Sequence, residues 1–223
     1  MLRNLFSYGY WVIFLIPLRL LALVMHEFSH GYVSTKLGDP TPRIRGRLTF
    51  NPMAHLDLWG TILMLLTGFG WAKPVEVNPM YYKDRKKGMA LVAFAGPAAN
   101  LILAFLSLLL NALFIILFYY TGAPQSFYLF VSRLCSYSAQ INLCFMVFNL
   151  IPIPPLDGSR ILGMFLPDRS YYTLMQYERY SMLLIMFLSL SGAFSTIIGT
   201  GMGTLYSAIA GLMNKLLSLA IGI

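Results

Sequence analysis

Residues 5–30 read LFSYGYWVIFLIPLRLLALVMHEFSH, an apolar run that ends in two histidines four positions apart. The apolar part, residues 5–25, is long enough to cross a hydrocarbon layer, because about 20 helical residues span about 30 Å. Side chains four positions apart project from nearly the same face of a helix, so His26 and His30 could hold one ion between them. This stretch predicts a membrane helix that ends in a metal site.

The composition places the whole chain in the membrane class. Of its 223 residues, 58% are hydrophobic and 11% are charged, whereas about 25% are charged in soluble domains. A short apolar run at residues 58–69 is too brief to span comfortably. Four more stretches are long enough to span, at residues 89–120, 127–151, 180–198 and 202–223. We therefore predict an all-α polytopic membrane protein with about five to six transmembrane helices.

The domain organisation follows from the same pattern, because no internal repeat or low-complexity tract divides the chain. We expect a single domain over residues 1–223. Its catalytic core would cover about residues 5–165, and its C-terminal helices about residues 170–223.

The basic residues indicate how the chain lies in the membrane. A net charge of +8 would suggest nucleic acid as the partner of a soluble protein, but in a membrane chain Lys and Arg mark the cytoplasmic side. Nine of the sixteen lie between residues 36 and 87, and three more follow the third span, on the same side if each span crosses once. We expect that side to face the cytoplasm, with membrane lipids and no nucleic acid as partners.

Helical periodicity is lost between residues 38 and 79, where Pro and Gly recur. Residues 45–50 and 71–77 alternate imperfectly between polar and apolar side chains and are bounded by Asn-Pro pairs, which predicts a short β element at the membrane surface. An irregular loop is the alternative, because prolines such as Pro74 limit a strand to a sheet edge at best.

Glu27 lies between the two histidines and is a candidate general base. It is about 100° around the helix from His26, so its carboxylate can reach a water beside the metal without binding the metal itself. Zinc would lower the pKa of that water toward about 7, and Glu27 would accept its proton for attack on a peptide carbonyl. The pattern predicts a zinc-dependent peptidase with one Zn²⁺ per chain. In the alternative interpretation, the histidines only form hydrogen bonds within a helix bundle.

Asp157 is the preferred candidate for a third protein ligand, which a hydrolytic zinc usually needs. Besides Glu27 the chain has seven acids, and six of them, Asp39 included, lie in segments where solvent or a neighbouring Lys or Arg explains them. Asp157 instead follows an apolar span that breaks into a proline-rich bend, in the stretch NLIPIPPLDG at residues 149–158. His55, the remaining histidine, is the alternative ligand.

Two asparagines are further candidates. The amide of Asn149 could donate to the oxyanion formed at the attacked carbonyl, or it could cap or kink the helix before Pro152. Asn100 could support a metal ligand or orient the substrate, or it could serve only in packing.

The motifs together resemble those of the site-2 protease family of intramembrane metalloproteases. Residues 26–30, HEFSH, match its zinc motif, residues 149–158 look like its second motif, and GPAAN at residues 96–100 is similar to the pattern of its central helix. In that family the aspartate of the second motif is the third zinc ligand, which implies the same role for Asp157.

This resemblance covers roughly residues 20–165. It implies an active site inside the membrane boundary that faces the cytoplasm, and regulated intramembrane proteolysis of transmembrane protein substrates. Many members also carry PDZ or CBS domains, which these 223 residues lack. We therefore expect a minimal form of the family in a prokaryotic cell membrane.

Three other functions compete with proteolysis. A metal transporter would need no glutamate between its ligands and would usually show polar groups along successive spans. A non-catalytic scaffold would not need Glu27. An unrelated membrane zincin would be expected to supply a glutamate ligand from a later helix, whereas Glu178, the glutamate in the later part of the chain, lies with Arg179 in a polar loop.

Overall fold

The computed structural model describes residues 11–67, 72–122 and 124–221. These residues form helices joined by short loops, with two 3₁₀ turns at Pro52–Ala54 and Pro79–Tyr81. The α-helices within the described ranges are α1 (Trp11–Lys36), α2 (Thr41–Ile44), α3 (Leu58–Thr67), α4 (Arg85–Thr121), α5 (Gln125–Asn149), α6 (Asp157–Gly163), α7 (Asp168–Gln176), α8 (Glu178–Leu190) and α9 (Ala193–Ile221). The predicted all-α class is confirmed.

Within the described ranges, three helices are long and apolar enough to cross a membrane: Ile13–Lys36 of α1, α4 and α9. Helix α5 has 25 residues but is not among the three, because Arg133 and several Ser and Asn residues interrupt its apolar run. The predicted number of five to six spans is therefore not confirmed by length and composition alone.

The boundary between the last two helices differs from the prediction. The predicted spans at residues 180–198 and 202–223 met at the glycines near residue 200, whereas α8 ends at Leu190 and α9 begins at Ala193. The chain turns at Gly192, whose φ of 78° is easily adopted only without a Cβ atom. Gly201 instead lies inside α9, where a Cβ would be 3.0 Å from Val147 Cγ1 of α5. That glycine serves close packing of two helices and does not end one.

The predicted β element is not confirmed. Residues 45–50 contain no strand, and the described part of residues 71–77 contributes one antiparallel bridge, between Leu56 and Ala72. The N–H of Lys73 donates to the carbonyl of His55 over 2.9 Å. Helix α3 lies between Leu56 and Ala72 in the sequence, while Trp71 lies outside the described residues.

Helix α4 is the central element, since it contacts α1, α5, α6 and α9. Its start is capped by Asp84, whose Oδ1 accepts from the N–H of Lys87 over 3.1 Å, and its end by Gly122 with φ 61°. Small residues at its contact with α5, Ala104, Ala112 and Ala139, are at most 4% exposed. Such residues let membrane helices approach closely. The middle of α4 is thereby held against α5.

Candidate metal centre

The two histidines of α1 are buried, with exposed fractions of 4% for His26 and 8% for His30. The Nδ1 of His26 lies 2.6 Å from Oδ1 of Asn100, and the Nδ1 of His30 lies 2.7 Å from the carbonyl oxygen of Val92. Because each of these oxygens is an acceptor, each Nδ1 carries the proton and donates it. The Nε2 atom of each ring therefore keeps a free lone pair, as a metal ligand requires.

Asn100, on α4, is completely buried, and both ends of its amide are in use. Its Nδ2 donates to the carbonyl of Ala22 over 3.1 Å and to Oδ1 of Asn142 over 2.9 Å. Asn142, on α5, donates in turn to the carbonyl of Ser138. This network fixes which amide atom of Asn100 faces His26, and it holds the ring in place. These contacts suit the support of a metal ligand, while contact of Asn100 with a substrate stays a prediction.

Asp157 reaches the same point from the first turn of α6. Its Oδ2 lies 3.1 Å from Nε2 of His26 and 3.3 Å from Nε2 of His30. One ligand atom from each of the three residues lies within 4.8 Å of the other two. The structure thus brings together the three residues that the sequence analysis selected as ligands.

The donor set fits zinc. Two imidazole lone pairs and a carboxylate that converge on one point repel one another unless they share a cation, and Oδ2 of Asp157 is buried with no hydrogen-bond partner. Tetrahedral zinc with bonds of about 2.0 Å places its ligand atoms about 3.3 Å apart, close to the separations from Asp157.

Gly96 forms the wall of the centre on the side of α4. A Cβ at this position would lie 2.6 Å from Cε1 of His26 and 2.6 Å from Nε2 of His30, far inside van der Waals contact. Only glycine therefore lets α4 pass this close to the two rings. The sequence analysis included this glycine only as part of the GPAAN stretch and did not place it against the histidines.

Glu27 is half-buried beside the centre and is not one of the three converging ligands. Its Oε2 accepts from the N–H of Val75 over 3.0 Å. The segment from Ala72 to Asn78, which is non-helical and carries one bridge at Ala72, therefore contacts the candidate base and fixes the orientation of its carboxylate.

Asp39 anchors that segment, and the expectation that solvent or a neighbouring cation explains this residue is wrong. It is completely buried, and its carboxylate accepts from Ser34 Oγ over 2.7 Å, from Thr41 N–H over 2.9 Å and from Asn78 N–H over 2.7 Å. Burial raises its pKa, but the hydrogen bonds outweigh burial and lower the pKa below its usual value. Asp39 is therefore a structural anchor. The sequence analysis missed this role because it considered only solvent and the neighbouring charges.

The remaining candidates lie outside the ligand group. His55 is completely buried, and its Nε2 donates to the carbonyl of Thr49 over 2.9 Å. Asn149 donates to the carbonyl of Phe145 in its own helix over 3.0 Å, which leaves one of its two amide hydrogens for another acceptor. A role of Asn149 at the oxyanion stays a prediction.

An Asp157→Asn variant tests the third ligand. The neutral amide keeps the size of the side chain but is a poor zinc ligand, so we expect the zinc affinity to fall by more than the roughly 10- to 100-fold that follows loss of a supporting residue. The measurement is zinc content and affinity of the purified protein. A matched His55→Gln variant, which keeps a donor for Thr49, should hold zinc normally; the reverse pattern would assign the ligand to His55.

Known proteins resemble this chain over most of its length. The sequence profile described as peptidase family M50 matches residues 119–192. YwhC of Bacillus subtilis, an inferred zinc metalloprotease, is 38% identical over 197 residues, which cover 83% of this chain and 86% of YwhC.

Two further relatives carry the same description. Rip2 of Mycolicibacterium smegmatis is 31% identical over 180 residues, or 78% of this chain and 65% of Rip2. MJ0611 of Methanocaldococcus jannaschii is 28% identical over 163 residues, or 70% of this chain and 75% of MJ0611. No solved structure matches the chain. With YwhC similar over nearly its whole length, the chain belongs to peptidase family M50, the site-2 protease family, and is a metalloprotease.

Proposed function

We propose that this metalloprotease is an intramembrane zinc endopeptidase that cleaves transmembrane segments of membrane-tethered proteins. The observation that carries the proposal is the convergence of His26, His30 and Asp157 beside Glu27, at the end of a helix able to span a membrane. Ionisable groups at that depth are costly and are usually retained for function. The naming of the relatives as zinc metalloproteases supports zinc as the metal.

In this proposal His26, His30 and Asp157 would hold one zinc ion per chain. When bound, the ion acts as a Lewis acid toward the peptide carbonyl and makes a water acidic enough to be activated near neutral pH. Asn100 keeps His26 in the tautomer that presents Nε2, and Val92 does the same for His30 through its carbonyl oxygen.

Glu27 performs the proton transfers. Its carboxylate takes a proton from the attacking water and gives it to the nitrogen of the leaving amine, so that the C–N bond breaks without release of a strongly basic amide ion. The N–H of Val75 holds one carboxylate oxygen, Oε2, which leaves the other oxygen to face the water. The free amide hydrogen of Asn149 would donate to the carbonyl oxygen as negative charge develops on it.

The substrate must be extended at the cleaved bond, because the hydrogen bonds of a helix shield its peptide groups. We propose that the substrate pairs by addition of a strand with the non-helical chain near residues 72–77, which already contacts the candidate base. The basic segments at residues 36–87 support a cytoplasmic orientation of this face. We place the protein in a prokaryotic cell membrane and treat residues 1–223 as one catalytic domain.

A reconstituted system tests this function. The full chain, in liposomes with a single-span reporter protein, should cleave the reporter within or near its apolar segment. A chelator should abolish cleavage, because it removes the zinc ion that the mechanism requires. About one equivalent of zinc per chain should restore cleavage.

A water-soluble peptide without an apolar segment serves as the comparison substrate. Cleavage that survives complete removal of zinc would contradict the zinc mechanism. Cleavage of the soluble peptide with no cleavage of the reporter would contradict the intramembrane specificity.

A further inference from the structure

A second site lies on the surface segments that follow α1. It is an open cavity of about 350 Å³, within the range of small-ligand sites. Four charged side chains contribute to its wall: Arg45, Arg47, Lys73 and Glu76. Gly46, Met53, Ala54 and Leu56 complete the lining. None of these residues belongs to the metal centre.

The cavity carries a surplus of positive charge. Arg45 pairs with Glu76 over 3.1 Å, in an exposed ion pair. Arg47 is 5% exposed and donates to the carbonyl of Ala54, which fixes its guanidinium in the wall. Lys73 is exposed and has no carboxylate partner within the residues that the structure describes. Two guanidinium groups and an ammonium around one space are suited to an anion with several acceptor oxygens, such as a phosphate.

The surroundings of the cavity indicate where that phosphate comes from. Large apolar side chains flank it in the sequence and are unusually exposed, at 77% for Ile44, 61% for Phe50, 72% for Met53, 70% for Leu58 and 68% for Trp59. In a protein with membrane-spanning helices, exposed apolar and Trp side chains next to basic groups are typical of the interface between acyl chains and headgroups. The cavity would then lie at the depth of lipid phosphates.

We propose that this cavity binds the phosphate of an anionic phospholipid headgroup, with Lys73 and the two arginines as donors. The site goes beyond the proteolytic function, because it involves neither the metal ligands nor the cleaved bond. It also has a consequence for that function. Lys73 is two residues before Val75, whose N–H holds Glu27, so a bound headgroup fixes one end of the segment that orients the base.

Lipid binding to the purified full chain in detergent tests the proposal without any substrate. The chain is titrated with a short-chain phosphatidylglycerol, and one-to-one complexes are counted by native mass spectrometry. We expect the affinity for phosphatidylglycerol to be at least about fivefold higher than the affinity for phosphatidylcholine of the same chain length. Each basic contact to an anionic headgroup contributes about that factor. Glycerol phosphate alone should bind more weakly than the lipid, because it has no acyl chains to contact the apolar rim.

Two variants of cavity residues should change the affinity for phosphatidylglycerol in opposite directions. If these residues only stabilised the fold, both variants would be expected to weaken binding. Lys73→Gln removes a donor and should weaken phosphatidylglycerol binding by about fivefold. Glu76→Gln removes the one carboxylate of the cavity and should strengthen binding. Lys215→Gln, an exposed lysine of α9, removes the same charge outside the cavity and should change nothing.

Several outcomes would overturn the proposal. Equal binding of the two lipids, or equal affinities for Lys73→Gln and the parent chain, would show that the cavity does not select an anionic headgroup. Glycerol phosphate bound as tightly as the lipid would identify a soluble phosphate as the ligand. If lipid binding is unchanged but Lys73→Gln alters cleavage only of reporters with acidic flanks, the cavity recognises substrate carboxylates instead.

Discussion

Glu27→Gln is expected to bind zinc as the parent chain does and to lose cleavage of a transmembrane reporter by about 10²- to 10⁴-fold. The amide cannot accept a proton from water, but its oxygen can still accept from the N–H of Val75. Because Glu27 lies outside the three converging ligands, the metal affinity should not change. The measurements are zinc content and the single-turnover rate of reporter cleavage in liposomes.

Glu178→Gln is the matched control for this prediction. It makes the same chemical change at an exposed position in the first turn of α8, so both the zinc content and the rate should equal those of the parent. Normal cleavage by Glu27→Gln would remove Glu27 from the mechanism. Loss of zinc from that variant would instead mean that the carboxylate is a ligand.

The three converging residues could be selected from the sequence because the chemistry of a metal site constrains them locally. The spacing of His26 and His30 follows from the helical repeat, and Asp157 stands out as a carboxylate directly after an apolar bend. The structure brings these three together across more than 120 residues of sequence. Their role as ligands is the part that zinc binding must now test.

The supporting residues could not be predicted in the same way. Asn142 bonds to Asn100 across the α4–α5 contact, and the sequence alone does not fix the rotation of one helix against another. Asp39 is buried by a segment that begins more than 30 residues later in the chain, so its local neighbours indicated an ordinary surface carboxylate. The position of the α8–α9 turn depends on which of several glycines adopts a positive φ, and the sequence does not show this. Gly192 adopts it, whereas the glycines near residue 200 lie inside α9.

Gly96→Ala is expected to have the second large effect, since one added methyl group would occupy space that the metal ligands use. The new Cβ would lie 2.6 Å from Cε1 of His26 and 2.6 Å from Nε2 of His30, and the neighbouring backbone of α4 is held by α1, α5 and α6. Either the rings rotate away from Asp157 or the helices separate. Displaced ligands should lower zinc affinity by at least about 10- to 100-fold, and overpacking should cost about 1–3 kcal/mol of stability.

A second glycine-to-alanine variant separates this steric effect from the general effect of alanine on a helix. Gly203, inside α9, has nothing within 4 Å of its would-be Cβ, so Gly203→Ala should keep zinc and gain up to about 1 kcal/mol from better helix propensity. Zinc affinity and the melting temperature in detergent, measured for both variants, distinguish the two effects. If Gly96→Ala bound zinc as tightly as the parent chain, the rings of His26 and His30 would not need to lie against α4 to bind zinc. The metal centre described above would then be wrong.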